Sequence, residues 1–338
     1  MKKYMKFKGT GVFSVLLCTL FLAGMTSCKN GDKEFDDYIF QTVYFAQQTP
    51  IRTIVLGNDA AFDNTLDNEH RFQVYATVGG VWTNRQDRII HVAVDETLCA
   101  GKQFSDGKAV LPLPTTHYQF IGDGTTITIP SGEVQGCLNV QLTDAFFADP
   151  KAIDVNYVLP LQIMGSKDSI LEKKDYVLYA VKYKNKYDGA WISHGTDEID
   201  LNGVKSTVRR EATHLEDNEI RYITTAGLNV ANYPVSTTVE ANGTIETLTC
   251  NLVLTFNQEG QCTVTTTSSG CTATGNGTWT SLGAQKAWGN KDRDELVLNY
   301  TITYNYTDGG QARYKTLKSS DTLVMRDRQE KLETFSLK

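Results

Sequence analysis

The sequence has no long segment of helical period, no block of basic residues and no apolar run long enough to cross a bilayer. The first absence leaves little room for fold classes built on amphipathic helices, which place apolar residues three and four apart. The second matters because the formal net charge is −6, and an acidic chain without a basic stripe argues against nucleic acid and against anionic lipid headgroups as partners. The third is seen at Val12 to Ala23, "VFSVLLCTLFLA", which is well below the ~20 residues a membrane helix needs. Catalytic motifs are missing too. His70, His91, His117, His194 and His214 are scattered singly, with no H-E-x-x-H spacing. There is no G-x-S-x-G elbow, and no cysteine has a histidine partner in a recognisable motif. Glycosidases act through a positioned pair of carboxylates. The alternating acids D-x-x-D-x-D-x-E are nevertheless absent, and "NKDRDE" spaces Asp292, Asp294 and Glu295 otherwise. The chain reads as non-catalytic, with no cofactor and no metal site. Asn290, Asp292 and Asp294 alternate as calcium ligands do, but lack the further acid and glycine of a full loop and read as a polar turn.

What is present begins at the N-terminus. Lys2, Lys3, Lys6 and Lys8 precede the apolar run, and small residues follow it up to Ser27. That is the layout of a secretory signal peptide. The stretch "MTSC" that ends it resembles a bacterial lipobox, which makes residues 1–27 the signal and Cys28 the lipidated first residue of the mature chain. Acyl chains on one residue anchor firmly, because each buried methylene contributes about 0.8 kcal/mol. The segment before Cys28 holds four lysines and no acid, so the remainder carries −10. Residues 28–37, "CKNGDKEFDD", are too polar to fold and read as an acidic tether. Asp32, Glu34, Asp36 and Asp37 after Cys28 also resemble the surface-export signal of Bacteroidetes lipoproteins, and that resemblance implies the bacterial outer membrane as the location, lipid-anchored and facing outward.

Beyond the tether, apolar and polar residues alternate. Phe72, Val74, Ala76 and Val78 alternate with Arg71, Gln73, Tyr75 and Thr77, and the same period runs through "TLTCNLVLTF" and "LVLNYTITYNY". Period two with threonine and tyrosine enrichment marks half-buried antiparallel strands. The fold class is therefore all-β. A boundary falls near Lys184–Tyr187. Residues 38–184 hold seven to nine short strand-like runs, the count of an immunoglobulin-like sandwich. Residues 185–338 have longer strands joined by short turns, which suits a lipocalin-like antiparallel barrel or a second sandwich. The acidic loop 58–69 reads as facing water, with a bound cation as the other reading. Of the cysteines beyond Cys28, Cys262 and Cys271 flank "TVTTTSSG", a plausible hairpin, and form the candidate disulfide.

Several stretches carry a family resemblance. "TVYFAQQTPIRTIVLG", "TLDNEHRFQVYATVGG", "VQLTDAFFADP" and "KKDYVLYAVKY" resemble an N-terminal module of unknown function also found ahead of some endo-glycosidase catalytic domains. "AWGNKDRDELVLNY" and "DTLVMRDRQEKLETF" resemble its partner module in two-module surface lipoproteins of Bacteroidetes polysaccharide-utilisation loci. The resemblance covers nearly all of the mature chain. It implies an outer-membrane lipoprotein that captures a glycan for a neighbouring transporter.

A sugar-binding site needs an exposed aromatic face for the C–H groups of the ring and polar side chains for its hydroxyls. Trp288 in "QKAWGNKDRD" is the first candidate, with Asn290, Asp292 and Arg293 beside it. Trp82 in "GGVWTNRQD" is the second, with Asn84, Arg85 and Asp87 close by. Trp191 in "YDGAWISHG" is a third candidate, its other reading being a plug for the barrel's end. The sequence-level reading is a surface carbohydrate-binding protein. An adhesin or scaffold for a protein partner is the alternative, and a small glycosidase a more remote one.

Overall fold

The computed structural model describes Tyr38 and residues 40–338; the stretches read as signal and tether, with Cys28, lie outside the described residues. Strands are numbered along the chain. The first module is a sandwich of two sheets. One sheet has the order β10 (Ser169–Ile170), β1 (Thr42–Tyr44), β3 (Arg71–Gly79), β8 (Gln135–Leu142), β6 (Tyr118–Ile121). The other has β2 (Pro50–Val55), β11 (Tyr176–Lys184), β9 (Tyr157–Ser166), β4 (Arg88–Val94), β7 (Thr126–Ile129), with β5 (Leu111–Pro112) alongside β9. The alternation of β3 is realised as read: Phe72, Val74, Ala76 and Val78 enter the core between the sheets. The run "YVLPL" in β9 is buried at all five positions because both faces of its sheet are covered. A second apolar cluster lies on the outer face, where Val158, Leu178 and Ala180 meet Cys99, Phe104 and Val110. The short strands β5, β6 and β10 add to the runs legible in the sequence; two to four residues are too few to show a period.

The second module is a meander of β12 (Gly189–Leu201), β13 (Val204–Arg210), β14 (Glu219–Gly227), β15 (Val230–Ala241), β16 (Thr244–Phe256), β17 (Gln261–Thr266), β18 (Cys271–Ala284), β19 (Arg293–Asp308) and β20 (Gln311–Asp327). Its strands are long and its turns tight. At the β15–β16 hairpin Asn242 and Gly243 both have positive φ, 54° and 73°, the conformation a two-residue primed turn requires. Barrel and sandwich were both open from the sequence. Closure decides between them: β12 pairs with β20 from Ala190↔Asp327 to Leu201↔Lys315, so the first and last long strands meet and the sheet becomes a barrel. β13 and β14 occupy the same edge of β12 in succession, forming one wall strand interrupted at 211–218.

The candidate disulfide is corrected. Cys271 is bonded to Cys250, with Cα atoms 6.2 Å apart, and Cys262 is a buried free thiol. The hairpin register explains the difference. Cys262 faces Gly277 across the β17–β18 ladder, which puts Cys271 at the turn, a long way along the strand from Cys262. The β16–β17 register, Leu252↔Thr266, carries Cys250 to that same turn.

The last residues, assigned from sequence to the second module, return to the first. β21 (Glu333–Thr334) pairs with the free edge of β2, and Phe335 and Leu337 pack into the outer cluster beside Phe104. Arg328 ties the modules together where the chain leaves the barrel. Its Nη2 is 3.1 Å from Asp294 Oδ2, Nη1 donates to Asp188 O at 2.8 Å, and Nε donates to Asn58 O at 3.1 Å. Asn58 Nδ2 completes the seam with a bond of 2.8 Å to Asp294 Oδ1.

Candidate functional site

The sandwich has an open side. β1 ends at Tyr44, so it covers only the last part of β3, and β2 is covered by β21 at Pro50 and Ile51 alone. Between these partly bare edges lies a groove of about 740 Å³, within the range of small-molecule sites. Val74, Val177 and Tyr179 form its apolar floor, while Arg52, Lys182 and the tail from Gln329 to Thr334 supply the polar wall. Two aromatic side chains line it while remaining open to water: Tyr75 is 48% exposed and Phe62 57%. The exposure decides what they can do, because both rings still have area to give to a ligand.

Each polar group is held by the fold. Arg52 pairs with Asp67, whose other oxygen accepts the Val55 N–H at 3.0 Å. Burial pushes the Asp67 carboxyl up, and the Val55 N–H and the Arg52 charge offset this only in part. The 58–69 loop is thus not simply a water-facing acidic stretch: Asp67 is buried beneath Arg52 and Asn58 is spent on the module seam. Tyr179 donates from its hydroxyl to Gln73 O at 3.1 Å, and burial pushes its pKa to about 12. Tyr75 donates to Gln73 Oε1 at 2.6 Å, which steadies the ring over the groove. Lys182 is paired with Glu333 of the tail at 2.9 Å. Glu330 differs from the rest. Its Oε1 is buried without a hydrogen-bond partner, and burial, with Asp59 and Asp67 nearby, raises its pKa. A groove with exposed ring faces and fixed polar side chains along its wall suits a hydroxylated ligand of low charge.

The residues favoured from sequence do not form one site. Trp288, Asn290 and Asp292 do share the loop before β19, and Arg293 opens that strand. There the Arg326 guanidinium stands 5.7 Å from the Trp288 ring, Arg293 Nε donates to Trp288 O, and Asp292 accepts the Lys286 N–H. Asn290 is exposed in a left-handed conformation, φ 55°, so this loop spends much of its polarity on itself. Trp82 stands at the opposite end of β3 from the module seam, with Asn84 beside it buried. Trp191 is fully buried and donates from Nε1 to Tyr187 O at 3.0 Å; a ring with no exposed face cannot stack on a sugar, and it is removed from the candidates. Its place is the barrel core, near the start of β12. Sequence reasoning missed Tyr75, Phe62, Arg52 and Glu330. The legible signal was Tyr75, an aromatic standing on the polar phase of β3.

The barrel interior holds two further carboxylates, both engaged. Arg210 Nε is 2.6 Å from Asp197 Oδ2 and its Nη2 pairs with Asp321, which also accepts the Tyr300 hydroxyl at 2.8 Å. Among the described residues no three His, Cys, Asp or Glu side chains are grouped so as to hold a metal ion.

Sandwich, barrel and groove define a class: a two-module all-β protein with an open groove on its first module. Residues 186–329 match a family described as a domain of unknown function, DUF5627, and residues 36–170 match a family described as an N-terminal domain. A crystal structure of a Bacteroides ovatus protein of unknown function is 33% identical, with a TM-score of 0.79 over 90% of this chain and 99% of that one. The chain belongs to the same family as that protein. Two further B. ovatus structures, one of unknown function and one a multidomain protein including DUF1735, are 17% and 16% identical with TM-scores of 0.43 and 0.44. Each match covers 87% of this chain and 99% of theirs. No curated protein matches the chain.

Proposed function

We propose that this protein is a lipid-anchored carbohydrate-binding protein of the cell surface, which holds a glycan in the groove of its first module without cleaving it and passes it to a neighbouring transporter. The observation that carries the reading is the pair of half-exposed rings, Tyr75 and Phe62, lining a groove of about 740 Å³. Exposed aromatics are costly in water, and stacking on the C–H face of a sugar ring returns that cost. The lipobox-like "MTSC" and the acidic tether support the location, and the family resemblance supports the role.

A glycan array on residues 29–338, with products checked by mass, tests this directly. Saturable binding to one glycan class with the ligand recovered intact is expected. Tyr75→Ala and Phe62→Ala should each weaken binding about tenfold, which corresponds to about 1.4 kcal/mol. Trp288→Ala and Trp82→Ala should leave it within about twofold. Unchanged affinity in both groove variants would remove the site from the groove. Shortened product would return the glycosidase reading, and an empty array would favour a protein partner.

A further inference from the structure

Three aromatic side chains crowd the end of the first module where the chain enters it. Tyr38 is 79% exposed, Phe40 76% and Trp82 69%. Tyr38 and Phe40 are two apart on the entering segment, and Tyr38 N–H donates to Gly80 O at 3.0 Å, two residues before Trp82. A side chain at Gly80 would meet Phe40 O at 2.7 Å, so the two segments lie backbone against backbone. The platform beneath is pinned. Asn84, buried in the Trp82 loop, donates to Pro130 O and Glu133 O at 2.8 and 2.9 Å. Buried Arg88 then binds Asn84 Oδ1 at 2.9 Å, Gln41 Oε1 at 2.6 Å and the Asp168 carboxylate. Loop, entering strand and the 168 turn are thus one unit.

We propose that this aromatic patch lies in the interfacial layer of the membrane that carries the anchor. The proposal rests on Cys28 being the anchored residue, as the sequence reading has it. Only residues 29–37 separate Cys28 from Tyr38, and a chain that short reaches at most about 35 Å. An anchor at Cys28 therefore keeps this end of the sandwich within reach of the bilayer. Indole and phenol rings settle at the level of the headgroups. With a net charge of −10 after the signal, the docking is apolar rather than electrostatic. Tethering supplies the effective concentration that a patch of three rings needs. The barrel joins the sandwich at the other end of β3, through Asn58 and Arg328, so docking by the patch turns the barrel away from the lipid.

The test imposes the anchor chemically, so that it does not depend on natural lipidation. Residues 28–338 carrying Cys137→Ser are coupled through the Cys28 thiol to maleimide lipids in phosphatidylcholine vesicles. Tryptophan emission is then read with phospholipids brominated at successive depths. Trp191 is buried and Trp279 and Trp288 belong to the barrel, so quenching should come from Trp82, strongest for shallow bromines. Trp82→Phe should abolish it, and Tyr38→Ser with Phe40→Ser should at least halve it. Absent quenching in the tethered protein, or quenching that survives Trp82→Phe, would overturn the proposal. The mass of the N-terminal peptide from the native protein tests the anchor separately, and glycan binding in solution tests the groove.

Discussion

Arg328 is a charge taken out of water at the point where two modules meet, and its partner Asp294 is equally buried, each side chain 1% exposed. Truncating one member of such a pair strands the other, a loss of about 3–5 kcal/mol. Arg328→Ala should therefore be among the most destabilising single changes in the molecule, read as a lower urea midpoint with the slope unchanged. Asp197 makes a pH prediction of definite sign. Burial pushes its carboxyl up, but the hydrogen bonds from Arg210 and Ser319 and the Arg210 charge outweigh this and hold it below the usual carboxylate range. A depressed folded value means stability that is present above the unfolded value of about 3.9 and is lost as pH falls through the folded one. Thermal midpoints measured from pH 7 to pH 2 should fall below about pH 4, with part of the slope removed in Asp197→Asn. Glu330 has the opposite sign. Burial raises its pKa, so its contribution is full below the ordinary glutamate value and is lost as pH rises through the folded one. Glu330→Gln should stabilise the protein at pH 7, and the gain should disappear at pH 4.

At the scale of elements, the β17–β18 hairpin shows how a strand can be plain in a sequence while its register is not. The alternation in "TLTCNLVLTF" put Cys250 on the core face, where it is. Whether Cys271 meets Cys262 or Cys250 depends on where the turn falls, and "TVTTTSSG" contains no strong turn pair before Ser269–Gly270. Loss of the Cys250–Cys271 bond, which closes 21 residues, should cost about 3 kcal/mol by the loop-entropy argument. Cys250→Ser should show that loss, whereas Cys262→Ser should keep the cross-linked peptide in a non-reducing digest. Long strands such as β3, β16 and β19 were legible because one face is buried and the other wet. The groove was not. Its rings come from β3 and from the 58–69 loop, Arg52 from β2 and Glu330 from the returning tail, and no local pattern ties positions so far apart. The tryptophans drew attention as the largest aromatics, yet Trp191 went to the core and Trp288 into a self-bonded loop.

For the molecule as a whole, the tail decides how the modules depend on each other. Residues 333–334 extend the sheet of the sandwich, and Phe335 and Leu337 fill its outer cluster. Removing residues 330–338 should expose β2 and that cluster. Hydrogen exchange should then rise in β2 and β11 while the barrel strands β16 and β19 stay protected. The barrel is entered after Lys184 and left through Arg328, two positions linked by the Lys184 Nζ bond to Arg328 O at 3.0 Å. It thus hangs from the sandwich as a closed loop of chain, with both its ends at one seam. The entering segment matters in another way. β1 is held by β3 on one side and β10 on the other, so a pull on the chain entering β1 loads both ladders lengthwise, with their hydrogen bonds sharing the force in shear. A force between the β3 face of the groove and the entering chain would cross the sandwich alone, and the barrel strands would carry none of it.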